Sequence, residues 1–326
     1  MSNASNLCKV IYDPIYMNHR TGSDHPERSQ RLIPILEQVT QLDLIIEQPQ
    51  TVNKQWVLLC HSPAYLSYIE ELTHRMKGTL QLVESKTGDV VIGAESLDVA
   101  LHATAGAVHA VDIVCKSNTK RAFSLARPPG HHASFDQGKG FCIFNHAAIA
   151  ARYAQNTYAM RNILILDWDV HHGDGTQNIF YHDPSIFYFS THQINHYPFS
   201  GFAHEKGADK EVRNIWNFPI YPTDQSREEV LSYFENTLPE IAKWIKPDLV
   251  IISCGFDGHE MDPLGGFNLT DQDFERLTKA AITVAEKYSS GRVVSILEGG
   301  YQLDALASAS YQHLKALNEW KPYPES

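Results

Sequence analysis

Three things are scarce in this chain, and each scarcity narrows its class. Cysteine is the first: Cys8, Cys60, Cys115, Cys142 and Cys254 are odd in number and form no C-x-x-C pair, the pattern of reduced thiols in the cytosol rather than of a disulfide framework. Basic charge is the second. Lys and Arg total 27 against 38 Asp and Glu, so a net charge of -11 with no basic block leaves no footprint for nucleic acid. The acidic excess either attracts basic peptides or simply keeps the protein in solution. Third, no apolar run approaches a membrane span, and the opening MSNASNLCKV has neither the charged nor the apolar region of a signal peptide. A soluble cytoplasmic protein is expected, without nucleic-acid or membrane partners. Linkers rich in Gly, Ser or Pro, low-complexity tracts and internal repeats are missing too. The 326 residues are therefore expected to form one domain, 1–326, large enough to bury a core without staples.

What the chain does have is a rhythm. An apolar run at 9–12 predicts an early strand, and DPIYMNHRTGSDHPER at 13–28 is too rich in turn formers for a helix and predicts a surface loop. Helices are expected over 33–39, with Pro34 confined to the first turn, and over 64–77 and 96–116. Five times thereafter a short apolar segment runs into a polar, glycine-rich cluster: AFSLA before RPPGHH, ILIL before DWDVHHGDG, IFYF before STHQ, LVIIS before CGFD, and VVSIL before EGGY. Helical stretches at 146–155, 228–245 and 271–288 lie between several of them. Strands alternating with helices predict an α/β fold, a doubly wound and mostly parallel sheet with helices on both faces. Ligands bind beyond the carboxyl ends of such strands, so all five clusters should meet at one edge of one sheet.

The densest cluster reads NILILDWDVHHGDGTQN over 162–178. A strand alternates its side chains, so Asp167, Asp169 and His171 share a face while Trp168 and Val170 pack. Two carboxylates and an imidazole suit a divalent transition metal, zinc first; the alternative is a strand end whose acids cap the next helix. The other clusters have equally plain explanations when taken singly: His131 and His132 as polar loop residues, Asp257 as a turn cap, Tyr301 as a packed ring. Convergence on one edge favours chemistry, and the reaction this set serves is hydrolysis of an amide at a metal. Asp169, His171 and Asp257 would leave open positions for water and a substrate carbonyl. One of the two histidines supplies the base, and Tyr301 shares the oxyanion with the metal. Asp167 and Asp174 remain to orient one histidine each.

Several motifs in order carry a resemblance. R-P-P-G-H-H, D-W-D-V-H-H-G-D-G-T, S-C-G-F-D, D-P-L-G-G and L-E-G-G-Y, with D-H-P-E-R-S-Q-R-L near the start, resemble the zinc-dependent histone deacetylase family over roughly 12–306. The class II and bacterial amidohydrolase branch is the nearest in pattern. The resemblance implies the arginase-deacetylase fold and removal of acetyl groups from amines such as acetyl-lysine, with one catalytic Zn2+ and one or two K+ as cofactors. It makes His132 the general base and acid, oriented by Asp174, and His131 its electrostatic partner, oriented by Asp167. It sets an inner potassium site on the backbone carbonyls of Asp167, Asp169 and His171 with Ser190 and Thr191, and an outer one on carbonyls around Phe180, Asp183 and Ile186.

The same resemblance implies an acyl-lysine tunnel between Phe141 and Tyr197, the latter replacing the commoner phenylalanine, with Gly140, Leu264 and Gly300 also in the substrate-binding set. Arg31 either lines an internal acetate channel or pairs with a buried acid. Tyr301 is present where nearly inactive relatives carry histidine. Leu264 stands where relatives that prefer acetylated polyamines carry glutamate, which disfavours that preference by that route, although Asp89 or Glu95 at the rim could serve a distal ammonium. The expected substrates are acetylated lysines of peptides or proteins, with acetylated polyamines or other small amides as the alternative. A silent acyl-lysine binding module and a manganese hydrolase of arginase type are the remaining readings; the latter needs further acids for a second metal. Self-association is left open.

Overall fold

Apolar runs too short for helices become strands here, and eight of them join into one sheet. The computed structural model describes residues 7–79, 82–84, 89–208 and 212–321. Its strands are β1 (Cys8–Ile11), β2 (Ile45–Glu47), β3 (Val83–Glu84), β4 (Val91–Ile92), β5 (Arg121–Ser124), β6 (Ile163–Asp167), β7 (Ile186–Gln193), β8 (Ile215–Ile220), β9 (Leu249–Cys254) and β10 (Val293–Leu297). Its helices are α1 (Leu32–Gln41), α2 (Pro63–Met76), α3 (Ser96–Lys116), α4 (His146–Tyr158), α5 (Asp174–Phe180), α6 (Ser226–Ser232), α7 (Leu238–Ile245), α8 (Asp271–Tyr288) and α9 (Leu303–Glu319).

The sheet runs β2-β1-β5-β10-β9-β6-β7-β8, and every pairing in it is parallel. The short β3–β4 pair, which stands apart from this sheet, is antiparallel. Each residue of β5, β6, β9 and β10 is buried. Strands covered on both faces read as continuous apolar runs rather than alternating ones, which is why ILIL and LVIIS are so uniform. The helix α3 is long and apolar enough to cross a membrane by length and composition, more so than the expectation of no such run allowed. Most of that apolar window is buried inside the fold. At Gly106 it comes so close to the sheet that a Cβ there would lie 2.9 Å from Ser124 Oγ, so α3 is a core helix.

Three local differences from the expected elements have physical causes. The helix expected over 228–245 is α6, a π turn at Tyr233–Thr237, and then α7; Pro239 cannot donate a helical hydrogen bond, and the chain widens just before it. Strand β8 carries Asn217 and Pro219, which interrupt its apolar run. It lies at the edge of the sheet, where a missing N–H is tolerated. The expected loop 13–28 begins with a 3-10 turn, Pro14–Asn18, capped by Asp13, which accepts from Ile15 N at 3.0 Å.

Candidate active site

Strands β5, β10, β9 and β6 are neighbours in the sheet though scattered along the chain, and the loops after their carboxyl ends carry His131 and His132, Tyr301, Asp257, and Asp169 with His171. This parallel arrangement brings one group from each strand to a common edge.

Asp169, His171 and Asp257 form the innermost cluster, their ligand atoms all within 4.8 Å of one another. His171 Nδ1 lies 3.0 Å from Asp169 Oδ1 and 3.1 Å from Asp257 Oδ2. The remaining carboxylate oxygens are fixed by backbone: Gly299 N donates to Asp169 Oδ2 at 2.9 Å and Val170 N to Asp257 Oδ1 at 2.8 Å. Trp168 and Val170 point into the core, fully buried. Burial works to lower His171, but the hydrogen bonds and charges of Asp169 and Asp257 push it up to about 10. Burial and then the Asp169 charge push Asp257 up to about 7. Two buried carboxylates thus recruit a proton onto the imidazole between them. A divalent cation answers the same charge and lets His171 act as a neutral ligand, so the donor set fits zinc.

The histidine pair sits against this cluster, with His131 Nε2 3.8 Å from Asp169 Oδ1. The two rings are 4.0 Å apart at their centroids. His131 Nδ1 meets Asp167 Oδ2 at 3.0 Å, and that oxygen also accepts from the Tyr188 hydroxyl at 2.8 Å. His132 Nδ1 meets Asp174 Oδ1 at 2.8 Å. Environment separates the two rings: burial opposes charge on His131, but Asp167, Asp169 and Glu298 carry it well above the ordinary value. Burial, and then the positive charge of His131, lower His132 to about 4. The surroundings thus favour charge on the first ring and oppose it on the second. Although burial raises Asp174, bonds from His132 and Lys139 bring it down to about 2, and the Lys139 ammonium pairs with its second oxygen.

A cavity of about 260 Å³ opens onto this group, lined by His132, His171 and Tyr301, by Gly140, Phe141 and Tyr197, and by Asp89, His196 and Leu264. Gly140 and Phe141 are consecutive residues at positive φ, 56° and 67°. Such a conformation is strained for a bulky side chain, and here Asp89 holds it: Gly140 N donates to Asp89 Oδ2 at 3.0 Å and Phe141 N to Asp89 O at 3.2 Å. The Tyr197 hydroxyl donates to the same carboxylate at 2.6 Å. Glu95, exposed just before α3, does not line the cavity.

Tyr301 is positioned from behind. Arg31, fully buried, lies 4.8 Å from its ring centroid and donates to Gly300 O at 2.6 Å and to Glu27 at 3.2 Å; the alternative of a buried acid partner is met by Glu27. Burial raises the Tyr301 phenol well above its ordinary value, so it remains a donor. Among the potassium sets, Asp167 pairs in register with Ser190 of β7, and the neighbouring Thr191 Oγ1 is buried with no hydrogen-bond partner among the described residues. The carbonyls of Phe180, Asp183 and Ile186 face the Asn214 carboxamide.

Sequence reasoning passed over several supporting interactions. Glu298 Oε2 accepts from Gly130 N at 2.6 Å and His131 N at 3.1 Å; its signal was an acid ending the apolar run VVSIL. Asp262 accepts from Tyr301 N at 2.6 Å and Gln302 N at 3.1 Å, and it stood unassigned in D-P-L-G-G. Lys139 and the Asp89–Tyr197 bond left no pattern in the sequence. His172, given no role, bonds Ser200 Oγ at 2.8 Å and Gln177 Oε1 at 3.1 Å.

Comparison with known proteins shows similarity over most of the chain. The model of the histone deacetylase domain matches residues 23–317. The chain is similar to a chloroplastic histone deacetylase 10 of Oryza sativa, 33% identical over 87% of this chain and 68% of that protein. It is also similar to a probable deacetylase of Archaeoglobus fulgidus, 32% identical over 90% and 81%. The crystal structure of the HDA15 HD domain superposes with a TM-score of 0.85 at 30% identity, covering 95% of this chain and 87% of that one.

Proposed function

The chain belongs to the histone deacetylase family, and from that premise we propose that it is a zinc-dependent hydrolase removing acetyl groups from lysine side chains of peptides or proteins. The observation that carries the reading is the pair of carboxylate-backed histidines, His131 on Asp167 and His132 on Asp174, set against the Asp169–His171–Asp257 cluster. Zinc held by those three residues would polarise the amide carbonyl and acidify a water. His132 has Nδ1 on Asp174, which leaves Nε2 to take the proton of the attacking water and hand it to the departing lysine amine. Asp174, kept ionised, steadies the imidazolium in between. Tyr301, still protonated, donates to the carbonyl oxygen as it turns negative, and His131 adds positive field. Phe141 and Tyr197 would sheath the lysine methylenes. A potassium ion on the Asp167, Asp169 and His171 carbonyls with Ser190 and Thr191 would satisfy the orphaned Thr191 hydroxyl and stiffen the strand end that bears the ligands.

One acid lines the cavity among the described residues, Asp89, whose Oδ2 is bonded by both Tyr197 and Gly140 while Oδ1 is buried with no hydrogen-bond partner among them. That one buried oxygen, on a carboxylate already tied to Tyr197 and Gly140, is all the carboxylate surface the cavity offers a polyamine's distal ammonium. The test is hydrolysis by zinc-loaded protein of an acetyl-lysine peptide and of acetylputrescine side by side. Acetate should leave the peptide at least about tenfold faster; the reverse order would make small amines the substrate. Tight peptide binding with no acetate released would identify a binding module instead. Tyr301→Phe and His132→Ala should each keep fold and zinc while kcat falls about 10²–10³-fold, and wild-type turnover in either variant removes the role given to that residue. Asp257→Ala should lose zinc by elemental analysis.

A further inference from the structure

Phe180 closes α5 and Ile186 opens β7, and in the turn between them three backbone carbonyls point at one place. The oxygens of Phe180, Asp183 and Ile186 lie 2.8, 2.9 and 2.8 Å from Asn214 Nδ2. Asn214 is buried, its own carbonyl accepts from Tyr188 N at 2.8 Å, and its Oδ1 finds no donor among the described residues. An amide nitrogen carries two hydrogens, so three acceptors exceed what it can supply. A ring of carbonyls is the surrounding that replaces the hydration shell of a monovalent cation. These are the residues on which the family resemblance sets an outer potassium ion.

We propose that Asn214 has taken the place of that ion: its carboxamide is the permanent occupant of the carbonyl cage, and the chain holds no potassium there. Amide and ion are alternatives. Turning the side chain over would set Oδ1 against three carbonyl oxygens, an arrangement tenable only with a cation between them. The tethered amide closes the turn with no dissolved ion to recruit. Positive charge reaches the same turn from outside, because Arg152 pairs with Asp183 and lies 4.9 Å from the centroid of the Phe180 ring. None of these groups lines the catalytic cavity, so the inference stands or falls apart from the hydrolytic reading.

Crystals grown with rubidium chloride and measured by anomalous scattering test it directly. The wild-type protein should show no rubidium among the three carbonyls, and Asn214→Ala should show it there. Rubidium between those oxygens in the wild type overturns the proposal, as does an alanine variant whose cage stays without the ion. A second variant reads the same point in solution. Asn214→Asp puts a carboxylate of the same shape against the carbonyls, and should gain several degrees more in Tm than the wild type when potassium chloride replaces choline chloride at equal ionic strength. An equal response of the two proteins contradicts the exchange.

Discussion

Gly299 shows at the scale of one residue why the strand ends are rich in glycine. A Cβ there would run into the Asp257 carboxylate and lie 2.6 Å from Asp169 Oδ2, while its N–H supports Asp169. The backbone itself forms one wall of the ligand cluster. Gly299→Ala should therefore leave far-UV circular dichroism unchanged but lower bound zinc below one per chain, with activity falling in proportion; full zinc content would show that the ligands can give way. Asp169, His171, Asp257 and the histidine pair were legible in the sequence because few residue types can bind a metal or move a proton, and they were crowded behind strands. Glu298 and Asp262 were not, because an acid whose work is to accept backbone N–H groups has no spacing of its own. The bond between Asp89 and Tyr197 joins residues 108 positions apart, a distance no local pattern spans.

At the scale of the element, uniform apolar runs announced the buried central strands, and caps set the helix ends. Helix α8 begins with a capping box: Thr270 and Asp273 exchange hydrogen bonds, Thr270 N donating to Asp273 Oδ2 at 2.7 Å. Asp273 is buried and also receives Arg227 Nε at 2.6 Å and Nη2 at 3.0 Å, so one carboxylate caps the start of α8 and ties it to α6. Losing the cap and the charged partner should cost Asp273→Ala about 2 kcal/mol. The expected readout is a lower urea midpoint with unchanged slope and unchanged kcat, since no cavity residue is touched; a lower kcat would mean that the helix end also positions the site. Strand β8 escaped detection because its proline and asparagine suit an edge, and edges become visible only when the sheet is assembled. The short helix α5 was hidden for the opposite reason, as its first residue, Asp174, reads as a site acid.

The order of the strands is a property of the whole molecule, fixed by which runs meet in register, and it could not be read from any one of them. The same holds for the histidines buried by that assembly. His19, His61, His146 and His192 are lowered to about 4 and His313 to about 3, burial being the first cause in each. His61 Nε2 accepts from Asn145 N at 2.9 Å, which leaves no place on that nitrogen for a second proton. The unfolded chain protonates them near the ordinary 6.5. Between about 6.5 and 4 the unfolded state therefore binds more protons than the folded one, so stability falls as pH falls, by up to about 1.4 kcal/mol per pH unit for each ring. Glu298, pushed by burial up to about 7, pulls the other way, as do Asp167 and Asp262, whose values burial also raises. The five rings outnumber these acids. His131, raised above the ordinary value, changes its contribution only above that window. The urea midpoint of the zinc-loaded protein should thus drop steadily from pH 7 to pH 5, and a midpoint that holds or rises would mean that the buried acids, not the buried imidazoles, govern the acid limb.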